Sequence, residues 1–93
     1  MVSLHEVRDK AFNIAKKATE LDQEKKYSEA ISRYAEAIEH FLFLIKYDKN
    51  PALTPIYKSH MEEYFRRAEY LKKVLSEETS IFQSSEDAFQ SKE

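Results

Sequence analysis

The chain has 93 residues, a formal charge of −2, no glycine, no cysteine and only two prolines. That length fits one domain with a modest core. The missing glycine argues against a β-rich fold and removes the Gly-rich loops that cradle nucleotide phosphates; the missing cysteine removes disulfide frameworks and thiolate metal sites, which suits a reducing compartment.

The small net charge gives no global attraction to nucleic acid or to anionic lipid. No apolar run approaches the roughly 20 residues of a bilayer span. The opening MVSLHEVRDK lacks the apolar core of a signal peptide. The expectation is a cytoplasmic, all-α protein.

The first predicted helix begins at Ser3. Ser3 and Glu6 have the S-x-x-E spacing of a capping box, in which each side chain satisfies the other residue's backbone N–H. Leu4, Val7, Ala11, Ile14, Ala18 and Leu21 then alternate gaps of three and four, a heptad-like seam. This helix is expected to run to Asp22 or Gln23. Glu24-Lys25-Lys26 forms a short polar turn, and so short a link favours an antiparallel neighbour.

The second helix spans Tyr27 to Tyr47, YSEAISRYAEAIEHFLFLIKY. Tyr27, Ala30, Tyr34, Ala37, Phe41 and Ile45 form its stripe, widened by Ile31 and Ile38. Large rings alternate with alanines, so a ring can fill the space above a small residue on a neighbouring helix. Phe41 to Ile45 are five apolar residues in a row, which cannot all face one side. Leu42 or Phe43 is expected to be partly exposed, toward a groove or a partner, unless the run simply packs the bundle end.

DKNPALT, residues 48–54, is the second connection. Pro51 disfavours helix at Asn50, and Thr54-Pro55 restarts one, with a hydroxyl at N-cap and proline at N1. The third helix carries Tyr57, Met61, Tyr64, Ala68, Leu71 and Leu75 on the same spacing and is expected to end near Ser76 or slightly later. The fold class is therefore an antiparallel three-helix bundle over residues 1–76. Residues 77–93 are Ser- and Glu-rich and read as a solvated, flexible C-terminal tail. Lys58, Arg66, Arg67, Lys72 and Lys73 outnumber the acids of the third helix, whereas the tail is acidic, so the two either associate or are simply solvated faces.

KATELD at 17–22, YSEAI at 27–31, Ile38-Glu39 with Phe41-Leu42, Ile45-Lys46-Tyr47, and Tyr64 with Arg67-Ala68-Glu69 together carry a family likeness. The chain resembles the MIT domain, the microtubule-interacting and trafficking module. The likeness covers about residues 7–76 and is greatest to the MIT domains of the vacuolar-sorting AAA ATPases that disassemble ESCRT-III. The resemblance implies a non-catalytic adaptor that binds C-terminal tails of ESCRT-III subunits. One tail type lies as an amphipathic helix between helices two and three, and an extended, proline-containing type lies between helices one and three. It also implies recruitment of a parent ATPase to endosomal membranes, with membrane contact only through ESCRT-III. No G-x-x-x-x-G-K-[ST] occurs in these residues.

Apolar residues off the seams are the candidates for binding. Phe65 falls beside the core row of the third helix, on the stripe Lys58, Glu62, Phe65, Glu69, Lys72. A phenylalanine flanked by carboxylates can take leucines from a partner helix while Glu62 or Glu69 pairs a base. The other role open to Phe65 is capping the bundle core. By resemblance, Phe65 matches the apolar position of the helix-two/helix-three groove, and Glu69 matches an acid that meets an arginine of the bound tail. Leu42 completes that candidate set. Two departures stand out: Arg66 replaces the acid, and Glu62 the aliphatic residue, of close relatives, which puts the usual tail specificity in question.

On the other flank run His60, Glu63, Arg67, Tyr70 and Val74, facing Phe12, Ala15 and Thr19 of the first helix. Ala15 matches a family position in the second groove, where a small residue leaves room for an extended peptide; it also serves as a plain helix former. Phe12 is assigned to that groove or to the core, and Tyr70 to the groove. In the tail, Ile81-Phe82 and Ala88-Phe89 are spaced to form a short amphipathic turn able to dock into a groove.

Catalytic chemistry is not legible. His5, His40 and His60 lie on three different helices, so neither a metal site nor a cofactor is expected. The carboxylates sit among lysines rather than in a catalytic pair. The tyrosines occupy seam positions, and no nucleic-acid partner is expected. Two other readings remain open: a TPR-like repeat fragment, suggested by Ala18, Tyr27 and Ala37, and an oligomerisation bundle without a peptide ligand. The first lacks the repeat's glycine. Against the second, an isolated monomer is expected.

Overall fold

The computed structural model describes residues 3–82, with side chains as far as Glu77. It contains α1 (Leu4–Gln23), α2 (Tyr27–Tyr47) and α3 (Thr54–Phe82). No helix among the described residues is long and apolar enough to cross a membrane.

Each boundary has a local cause. The Ser3 Oγ accepts the Glu6 N–H at 3.1 Å and starts α1. At its end, the Lys25 N–H donates to the Asp22 carbonyl at 3.0 Å and the Lys26 N–H to the Leu21 carbonyl at 2.9 Å. That pair of bonds is a Schellman motif. Lys25 takes the left-handed position usually given to glycine, with φ of 64°. The chain reverses there, and α2 begins at once.

After α2, the Asn50 N–H donates to the Asp48 Oδ1 and the Ala52 N–H to the Asn50 Oδ1, both at 3.0 Å. These side chains imitate backbone turns and fix the loop. The Leu53 carbonyl then accepts the Tyr57 N–H at 3.0 Å. Leu53 therefore holds the N-cap position expected of Thr54, which is the first residue of α3 itself. Pro55 remains in the first turn, where its missing N–H is not needed. The far end of α3 reaches Phe82, beyond the expected stop near Ser76. Of the proposed tail-docking residues, Ala88 and Phe89, and the side chains of Ile81 and Phe82, lie outside the described part.

The seams meet in two clusters. Ala11, Ile14, Ala37, Phe41, Leu44 and Tyr57 fill one, and Ala18, Leu21, Ala30, Tyr34, Ala68 and Leu71 fill the other. The alanine–ring alternation on α2 has the predicted result. Ala30, Ala37 and Phe41 are fully buried, and the Phe41 ring meets Phe12, Tyr57, His60 and Tyr64 at centroid distances of 5.3, 6.2, 5.8 and 5.9 Å. Tyr34 stacks on Tyr64 at 5.8 Å.

Two polar clamps tie the three helices together: the first draws one residue from every helix, and the second joins α1 and α3 to Asp48, the residue that follows α2. Asp22, late in α1, accepts the Arg67 Nε–H and Nη2–H at 2.6 and 2.8 Å and the Tyr34 hydroxyl at 2.9 Å. At the opposite end Asp48 accepts the Tyr57 hydroxyl at 2.8 Å and Arg8 Nη2–H at 3.3 Å, while the Arg8 Nε–H donates to the Tyr57 oxygen at 2.9 Å. The end of α1 thus meets the start of α2 and the later part of α3, and the start of α1 meets the end of α2 and the start of α3. That is an antiparallel order, α2 lying against both partners and α1 running parallel to α3. The α1/α3 and α2/α3 flanks are left as furrows.

Candidate functional site

The α2/α3 furrow has a volume of 510 Å³ and is lined by Ile38, Leu42, Met61, Glu62, Phe65 and Arg66. Phe65 is 55% exposed and Leu42 50% exposed. Phe65 is therefore not a cap on the core, since more than half of its surface meets water. The furrow thus sets two large apolar side chains open to solvent on facing helices. Both lie where the seam geometry leaves them: off the buried rows, next to Phe41 on α2 and Tyr64 on α3. Glu62 shares the furrow, and Glu69, one turn beyond Phe65, stands just past it. The Glu69 carboxylate pairs the Lys72 ammonium at 3.0 Å, an exposed pair that a partner can displace at small cost.

The α1/α3 flank is divided. At one level the Phe12 ring sits edge-on to both Phe41 (5.3 Å) and His60 (5.2 Å), bridging α1 to α3. Phe12 is 37% exposed, so it is partly core and partly rim. Ala15 is 2% exposed and belongs to the core cluster. It presents almost no surface of its own, and its smallness serves the approach of the helices. Further along, Thr19, Tyr34, Glu63, Tyr64, Arg66, Arg67 and Tyr70 line a 420 Å³ furrow, so that Arg66 borders this furrow as well as the α2/α3 one. Tyr70 is 54% exposed, with the Arg67 guanidinium 4.9 Å from its ring centroid. The structure thus brings Tyr70 and Thr19 together, sets Phe12 in a bridge, and withdraws Ala15 into the core.

The electrostatics are dominated by the clamps. The Arg67 guanidinium, helped by the Tyr34 hydroxyl, holds the Asp22 carboxyl below its ordinary range against the effect of burial. Burial, then the bond to Asp22, pushes the Tyr34 phenol well up. At the other end the Asn50 N–H and the Tyr57 hydroxyl hold Asp48 down. Burial raises Tyr57 and Tyr64. These groups stay in one protonation state near neutrality and act as struts, not as acids or bases.

Sequence reasoning missed both clamps, and it missed a third concavity of 680 Å³ between α1 and α2, walled by Val7, His40 and Phe43. The signal for the last was present: Phe43 is 44% exposed, as the crowded Phe41–Ile45 run requires.

Comparison with known proteins decides the family. The family model for the MIT (microtubule interacting and transport) domain matches residues 8–73. The chain belongs to the MIT family. It is similar to the protein SUPPRESSOR OF K(+) TRANSPORT GROWTH DEFECT 1 of Arabidopsis thaliana, 35% identical over 81 residues, which are 87% of this chain and 19% of the relative. Vacuolar protein sorting-associated protein 4 of Dictyostelium discoideum is 39% identical over 66 residues, 71% of this chain and 15% of its own. MIT domain-containing protein 1 of Mus musculus is 34% identical over 68 residues, 73% and 27%. The chain spans between 15% and 27% of the length of these relatives. MIT is a protein-interaction module, not a catalytic one.

Proposed function

We propose that this MIT domain is a peptide-binding adaptor that takes an amphipathic helical segment into the α2/α3 furrow. The observation that carries the reading is the pair Phe65 and Leu42, both about half exposed and facing one another across an apolar floor. A helix with leucines at i, i+3 and i+7 can seat them between these two side chains. Glu62 and Glu69 then lie at the edge, where a basic residue of the segment reaches them.

The segment we assign is a C-terminal tail of an ESCRT-III subunit. Likeness to a vacuolar protein sorting-associated protein supports that choice. In this reading the parent is a vacuolar-sorting AAA ATPase in the cytoplasm. The domain brings it to endosomal membranes that carry ESCRT-III, without touching lipid itself. Affinity is modest, roughly 1–100 μM, because the interface is small and the peptide must order. Several tails on one polymer offset this by avidity.

The furrow at Thr19 and Tyr70 supports a second mode, in which an extended segment lies along α1 and α3.

The test is Phe65→Asp. Because Phe65 is exposed, the helical circular dichroism and the melt should change little. Binding of a leucine-rich helical ESCRT-III tail should weaken by at least about 2 kcal/mol, the scale of an interface hot spot. Unaltered binding removes the α2/α3 assignment. Failure of every tail to bind, together with self-association in sedimentation, favours an oligomerisation bundle instead.

A further inference from the structure

The charges of the α2/α3 furrow are unevenly distributed. Its α2 wall supplies only Ile38 and Leu42, which are apolar. Its α3 wall carries one acid, Glu62, and one base, Arg66, both exposed. They are four residues apart, so about 6 Å separates them along the helix axis. That spacing allows an ion pair on one helix, yet neither group makes an ion pair with any described residue. Of the neighbouring charges on α3, Glu69 pairs Lys72 and Arg67 pairs Asp22, while Lys58, one turn before Glu62, makes no ion pair with any described residue. The furrow therefore holds an uncommitted guanidinium and an uncommitted carboxylate beside the same apolar floor.

We infer that Arg66 makes this furrow select a helical segment bearing an acidic residue beside its apolar stripe, with a basic residue one turn away for Glu62. The inference rests on the reading proposed above and adds the chemistry of the segment. A partner carrying only bases along that edge places a cation against Arg66, and a like charge at a partly desolvated rim is penalised. A partner carrying only acids does the same to Glu62. The mixed edge satisfies both. Since both charges stand on α3, the partner's charged edge lies along the α3 rim while its apolar stripe seats between Phe65 and Leu42. This fixes the rotation of the bound helix about its own axis. The planar fork of Arg66 favours a carboxylate over a neutral amide.

The test uses the whole 93-residue chain and two designed peptides. Both share one leucine stripe and one edge arginine. They differ at a single edge position one turn away, which is glutamate in the first and lysine in the second. Binding is read by fluorescence anisotropy at low and high salt, for wild type and for Arg66→Glu. The wild type is expected to prefer the glutamate peptide by about five- to tenfold at low salt, the scale of a rim pair turned from attraction to repulsion. High salt should shrink the preference. Arg66→Glu should reverse it while its melt stays unchanged, because Arg66 is exposed. Equal binding of the two peptides by wild type, or a preference that Arg66→Glu leaves in place, overturns the inference and leaves the furrow intact as a binding site. Failure of both peptides to bind the wild type overturns the inference and the α2/α3 reading together.

Discussion

Removing the Asp22 carboxylate tests whether the bundle is held by clamps as well as by its seam. Asp22 is 9% exposed and accepts three hydrogen bonds, two from Arg67 and one from Tyr34. In Asp22→Ala the Tyr34 hydroxyl, on a residue only 2% exposed, loses its acceptor, which costs about 1–3 kcal/mol. Arg67 loses its bidentate partner, but its side chain is 45% exposed and rehydrates, so its share is about 1 kcal/mol. The sum is about 2–4 kcal/mol. For a domain of this size each 1 kcal/mol moves the melting temperature by roughly 4–8 °C, so a fall of about 8–32 °C is expected at neutral pH. Thermal melts followed at the helical circular dichroism minimum measure it. The effect must also depend on pH. Asp22 titrates below its ordinary value in the folded state, so its contribution is complete above that ordinary value and is lost as pH falls through the depressed one. The gap between wild type and Asp22→Ala should close as the pH falls below the ordinary carboxylate range. A neutral-pH gap below about 1 kcal/mol, or one that persists unchanged into acid, refutes the clamp.

Other expectations follow from single features. Lys25→Gly should raise stability by about 0.5–1 kcal/mol, because relief of the left-handed strain at φ 64° exceeds the entropy that glycine adds to the unfolded chain; an unchanged or lowered melt counts against the Schellman assignment. Phe41→Ala deletes the ring on which four others converge and should cost about 3–5 kcal/mol, read by urea unfolding. Asp48 is also held below the usual carboxylate range, so the wild-type melting temperature should be level from neutral pH to about pH 4 and then decline as both aspartates protonate. A decline that begins well above pH 5 would point to other groups.

The seams were legible because burial on a helix forces a three/four period. Ala30, Tyr34, Ala37 and Phe41, and Tyr57, Ala68 and Leu71, are buried as their spacing requires, while Tyr27, Ile45, Met61 and Tyr64 at the edges are half-buried. Phe65 was legible for the converse reason, as a large ring beside the row. The clamps were not, since Asp22 and Arg67 are 45 residues apart and Arg8 and Asp48 are 40. Nothing in local periodicity tells which of many surface charges will meet across two connections. The α1 stop was legible only as polarity, because the residue in the left-handed position is a lysine where glycine would have announced it. Ala15 shows the limit of matching a family position: a small residue reads alike whether it floors a groove or lets two helices close up, and here it is in the core. The further reach of α3 to Phe82 was hidden by a Ser/Glu-rich composition that suits a solvated helix as well as a linker.

The most direct measurement is a titration of isotope-labelled domain with a leucine-rich helical ESCRT-III tail, following every backbone amide. The largest shifts should fall on Ile38, Leu42, Met61, Glu62, Phe65 and Arg66, with the far side of α1 at Lys16 and Lys17 unmoved. Shifts confined to the α1/α2 face at Val7, His40 and Phe43, or no saturable shift at all, would contradict the account.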